Sequence, residues 1–132
     1  MANRIFYNPE GYIEVSVEGD QSYMSFVNLM PEAATMLEQL QQEGKPKLGL
    51  IDVTHQGAHT SESNHSALEM LEALDYDRLA IFGANVMLSE VIQGIVIAIG
   101  KAETIKICKM REDAVGWLLG SSVANANPVQ TT

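Results

Sequence analysis

Residues 51–66, IDVTHQGAHTSESNHS, concentrate three histidines and five hydroxyl side chains behind an apolar run. His55, His59 and His65 fall at spacings of four and six. Three imidazoles with one open position can hold a catalytic zinc ion. The intervening Gln56-Gly57-Ala58 reads as loop, however, so the helical geometry that puts two histidines on one face is missing. The expectation is three solvated loop histidines and no metal. The hydroxyls suggest other chemistry. A phosphate on Ser61 or Ser63 adds about −1.5 to −2 charge, which is stabilised where a helix N-terminus presents free N–H groups. Glu62 and Glu69 would oppose it. Alternatively Thr60 or Ser61 caps a helix, and Ser66-Ala67-Leu68-Glu69 offers a further capping-box pattern one turn later.

Other catalytic patterns are missing from the sequence. It has no Gly-x-Ser-x-Gly elbow, no glycine-rich phosphate loop and no recognisable Cys and His pairing. Asp52 stands where α/β proteins place functional acids, at the C-terminal end of a strand, but binding the N–H groups of the following loop is the simpler role for it. Cys108, the one cysteine, lies in the alternating run TIKICKM and reads as a buried structural thiol. The chain reads as non-enzymatic and without a cofactor.

The elements that must carry these residues follow from periodicity. GYIEVSVEG puts Ile13, Val15 and Val17 on one face and Glu14, Ser16 and Glu18 on the other. With RIFY and the turn Asn8-Pro9-Glu10-Gly11 it predicts an antiparallel hairpin over 5–18. From Ser22 a helical period runs through Phe26, Met30, Ala33, Leu37 and Leu40 to Gly44, with Pro31 placed to kink or split it. The apolar runs at 48–53, 79–83 and 104–109 then alternate with helical patterns at 65–74, 85–100 and 111–120. The expected fold class is α/β: a single mixed sheet of four to five strands, with an antiparallel N-terminal hairpin, later strands parallel through helical crossovers, and helices packed against it. At 132 residues this is one domain, read as 1–120, and the tail 121–132, SSVANANPVQTT, reads as flexible.

Charge and hydropathy exclude several function classes. A formal net charge of −9, with no lysine or arginine cluster escaping that field, disfavours nucleic acid and anionic lipid surfaces. No apolar run approaches the ~20 residues of a membrane span, and the N-terminus lacks a signal peptide, so a cytoplasmic location is expected. The segment NVMLSEVIQGIVIAIG has only Ser89, Glu90 and Gln93 as a polar strip. Its surplus of apolar side chains, with Met87, Val91, Ile95 and Ile99 the candidate face, predicts extra core packing, a pocket for a small apolar ligand, or self-association as a homodimer. Gly94 would admit a second backbone.

The order of elements together with GYIEVSVEG, LGLIDVT, YDRLAIFGAN and IKICKMREDAVGWL, including Ala114 to Leu118, resembles the small STAS-like proteins grouped with the anti-sigma factor antagonists, over about residues 5–119. The resemblance implies a sheet of four or five strands with packed helices, shared distantly with CRAL-TRIO lipid-binding domains. In that family an Asp-Ser-Ser-Gly motif at a helix N-terminus carries a serine whose phosphorylation ejects the partner. Counted from Asp52 without gaps, this sequence has Thr60 in place of the acid and Ser61 and Glu62 in place of the serines. The function implied is a regulatory module that docks an unidentified protein through 55–66. The alternative is a carrier or sensor of a small apolar ligand near 86–99.

Overall fold

The computed structural model describes residues 3–120. The expected tail at 121–132 lies outside them. β1 (Arg4–Asn8) and β2 (Tyr12–Ser16) form the antiparallel hairpin, in which Tyr7 faces Ile13 and Ile5 faces Val15. The Gly11 N–H closes its turn on the Asn8 carbonyl at 3.0 Å. β2, β3 (Leu48–Asp52), β4 (Arg78–Phe82) and β5 (Ile105–Cys108) then run parallel, in the spatial order β1-β2-β3-β4-β5. The crossovers are α1 (Tyr23–Gln42), α2 (Ser61–Ala73) and α3 (Val86–Ala98). A sheet that grows in one direction through crossovers of one hand stacks its helices on one face.

The pleat therefore sorts the core into two layers. Ile13, Val15, Ile51, Leu79, Ile81 and Ile105 meet Phe26, Leu37, Met70, Leu88 and Ile92 from the three long helices. On the opposite face Tyr12, Leu48, Leu50, Ala80 and Phe82 are covered by α4 (Arg111–Val115) and the π-helical turn Gly116–Gly120, through Ala114 and Leu118. Cover on both faces is why 48–51 and 79–82 are apolar at nearly every position. Arg111 fixes the smaller layer. Its guanidinium donates to both carboxylate oxygens of the buried Glu14, at 2.8 and 2.6 Å, and lies 5.7 Å above the Phe82 ring.

Three local expectations are settled or corrected. α1 passes through Pro31 unbroken, because its stripe Phe26, Leu29, Ala33, Leu37 and Leu40 stays buried on both sides of an exposed proline. α2 begins at Ser61 with the expected cap at Thr60, one turn before the helical pattern read from His65. Ser66 is accordingly no cap: it sits inside the helix, buried, and its hydroxyl donates to the Ser63 carbonyl at 3.0 Å.

Candidate functional site

All the parallel strands finish at one edge of the sheet, so the loops that follow them gather there with the N-terminal turns of α1, α2 and α3. This is the edge at which open α/β sheets carry their sites. The polar segment 53–60 is not loose. It continues the parallel pairing beyond β2 and β3: the Val17 N–H donates to the Asp52 carbonyl at 2.9 Å, Gly19 to His55 at 3.0 Å, and Gln21 to Ala58 at 2.8 Å, while Gly57 donates back to Gly19 at 2.8 Å. Asp20 adds a clip, its carboxylate accepting the Ala58 N–H at 2.8 Å. Gly57 permits this, since a Cβ there would collide with that carboxylate.

The loop leads into a capping box at α2. Thr60 Oγ1 accepts the Ser63 N–H at 3.0 Å, and Ser63 Oγ accepts the Thr60 N–H at 2.9 Å. Ser63 is 0% exposed, so its hydroxyl is closed to a modifying enzyme. Ser61 is exposed, in the first turn, with Glu62 beside it. Thr60 and Ser63 are thus assembled as a structural unit, and of the two candidate serines only Ser61 faces solvent. Asp52 accepts the Thr54 N–H at 2.9 Å, the backbone role expected of it.

The histidines diverge. His55 is exposed, His59 is half-buried with its Nδ1 enclosed and without a hydrogen-bond partner among the described residues, and His65 pairs with Glu69 at 3.4 Å on α2. Among the described residues, no three histidine, cysteine, aspartate or glutamate side chains are arranged to hold a metal ion. Cys108 is half-buried, and burial raises its thiol above the ordinary range, with Lys106 pulling the other way. A raised thiol pKa leaves little thiolate for nucleophilic attack at neutral pH.

The most distinctive feature of this edge is a set of exposed apolar side chains, of which the sequence pointed only to those of α3. Tyr23, Met24, Val86, Met87 and Met110 are large, exposed apolar side chains, and each lies just beyond the end of a parallel strand. Val86 and Met87 are 77% and 76% exposed. Helical phase accounts for this exposure, since 86 and 87 lie opposite the stripe Leu88, Ile92 and Val96. Met24 and Met110 carry no sequence signal beyond their type.

The apolar face expected at Met87, Val91, Ile95 and Ile99 is divided by the structure. Val91 and Ile95 line a cavity of about 50 Å³ between the sheet and the three helices, with Val15, Val17, Phe26 and Ile81. Ile99 packs against the core, whereas Met87 points to solvent. Gln56 and Asn64 are the polar members of the cavity wall.

No protein-family model matches the sequence, and no curated protein matches it. Solved structures are similar. An uncharacterized DUF3478-family protein with a SpoIIAA-like fold from Shewanella loihica PV-4 aligns with a TM-score of 0.59 at 19% identity, over 89% of this chain and 92% of that one. The anti-sigma factor antagonist SpoIIAA in its unphosphorylated form gives 0.60 at 12% identity, over 90% and 99%. The fold is SpoIIAA-like, in agreement with the resemblance read from the sequence.

Proposed function

We propose that the protein is a non-catalytic regulatory module that docks a protein partner on the edge where its parallel strands finish. One observation carries the reading: Tyr23, Met24, Val86, Met87 and Met110 stand exposed around a polar loop that backbone bonds hold in place. Apolar anchors on a rigid scaffold with a polar surround are the anatomy of a recognition surface, and methionine adapts to the partner's contours. The acidic surface favours a partner with a basic rim. The fold shared with an anti-sigma factor antagonist supports a regulatory role by analogy. Ser61 is the residue through which phosphorylation would act, because Ser63 is buried.

The test is direct. A partner retained from source-cell extract, then purified, should bind the wild type by calorimetry and lose at least about tenfold in affinity with Met87→Glu. Binding indifferent to Met24→Glu and Met87→Glu overturns the reading. Self-association through α3 as a homodimer belongs to the same proposal, with Ile97, 67% exposed, joining Val86 and Met87. Sedimentation showing a dimer that Ile97→Glu dissociates would make the partner a second copy.

The cavity favours a second reading, a carrier or sensor of a small apolar ligand. About 50 Å³ admits only a few atoms, against the roughly 300 Å³ or more of drug-sized pockets, so a lipid would require α3 to move outward. Native mass spectrometry should then show a retained small mass, and the bare chain alone would exclude it.

A further inference from the structure

The acidity of the chain is not uniform. Residues 101–111 hold four of its eight lysines and arginines, against the single acid Glu103. Six of the eight basic side chains are engaged in ion pairs or hydrogen bonds, Arg111 with Glu14 and Lys101 with the end of α2 among them. Among the described residues only Lys106 and Lys109 make neither. Both are exposed, and both belong to β5 or the residue that follows it.

β5 is also an open edge. Among the described residues it pairs with β4 alone. The Leu79 N–H donates to the Thr104 carbonyl at 2.8 Å, so the alternation of a parallel ladder turns the even-numbered residues of β5 toward β4 and leaves the N–H and C=O of Ile107 facing outward. A groove of about 410 Å³ lies along this edge, lined by Ile97 of α3, Ile105, Lys106, Ile107 and Trp117, with Glu103 its one acid.

We propose that the β5 edge docks an extended acidic segment of another protein, which adds to the sheet as a sixth strand. Backbone pairing with Ile107 would supply the register, Ile97 and Trp117 would take alternate apolar side chains, and Lys106 and Lys109 would take carboxylates. Lysines on an edge also repel basic strands and discourage indiscriminate pairing, so acid is selected. The C-terminal residues 121–132 contain no aspartate or glutamate and match this chemistry poorly. Apart from Ile97, which the homodimer face shares, the site uses other residues than the exposed anchors of the strand-finish edge, and its failure leaves the docking role of Tyr23, Met24, Met87 and Met110 untouched.

The test is selection of ten-residue peptides displayed on phage against the full chain. Expected are sequences that alternate apolar residues with aspartate or glutamate, whose affinity falls about tenfold or more for Lys106→Glu with Lys109→Glu. The control Arg4→Glu with Lys45→Glu changes net charge equally and should lose far less. The Ile107 amide should exchange more slowly in the complex, a readout independent of any variant. Binders lacking acids, equal loss in both double variants, or no binders at all would overturn the proposal. So would an Ile107 amide already protected in the free protein: concentration-dependent protection would assign the edge to a second copy, and concentration-independent protection to the chain's own C-terminal residues.

Discussion

The two ends of the parallel sheet are built from different material. At the end where strands start, side chains hold the fold. Lys47 pairs with Asp75 at 2.7 Å while its N–H donates to Asp77 at 2.7 Å. Lys101 caps α2 by donating to the carbonyls of Leu71 and Glu72, both at 3.0 Å, with its ammonium 4.6 Å from the centre of the Tyr76 ring. The Tyr76 hydroxyl donates to the Leu71 carbonyl at 2.6 Å. At the end where strands finish, backbone ladders and close-fitting glycines, with Asp20, Asp52 and the Thr60–Ser63 box as side-chain clips along the loop 53–60 and the start of α2, keep the geometry, and large apolar side chains stand in water. Side chains without a structural role are the ones free to meet another surface, so a fixed backbone and exposed anchors can coexist at one edge.

Substitutions can break this contrast. The largest effect is expected at Gly83, whose φ is +94° and whose added Cβ would collide with the Thr54 side chain and crowd its backbone. Gly83→Ala should lower stability by about 3 kcal/mol in urea unfolding, showing that the finishing edge depends on backbone fit. Lys101→Ala should lower it by about 1–2 kcal/mol, through loss of the α2 cap and the ring contact, while partner affinity stays unchanged. A change in affinity there would blur the division. Thr60→Ala should remove about 1 kcal/mol by opening the capping box, a milder loss at the docking edge.

The smallest effect concerns pH. Burial pushes the Tyr76 hydroxyl up to about 12. The unfolded chain ionises near its ordinary 10, so the native state holds the proton longer, and this contribution is present below pH 10 and lost as pH rises toward 12. Tyr76→Phe should flatten that part of the alkaline stability profile; an unchanged profile would mean other groups control it.

Strand and helix types were legible because alternation in GYIEVSVEG and unbroken apolar runs at 48–51 and 79–82 report directly on one-sided and two-sided cover. The start of α2 was left open between a cap at Thr60 or Ser61 and a helical pattern clear only from His65, and the structure takes the Thr60 cap. In HTSESNH hydroxyl residues suit a loop and a first helical turn equally, and only the reciprocal bonds of Thr60 and Ser63 decide between them. The candidate site was legible only in part. Its polar loop stood out by composition, but Gly57 against Asp20 is a contact between residues far apart in sequence, and the exposure of Met24 and Met110 depends on what their neighbours leave uncovered. The apolar excess of α3 was visible, while its division between a cavity wall at Val91 and Ile95 and a solvent face at Val86, Met87 and Ile97 required the helix to be set on the sheet.

Amide hydrogen exchange of the protein with and without its purified partner tests the central claim most directly. Docking at the finishing edge predicts slowed exchange in residues 53–62 and in the first turns of α1 and α3, around 22–25 and 85–88, with 43–47, 74–77 and 99–104 unchanged. Slowing confined to those last three segments, with 53–62 unaffected, would contradict it.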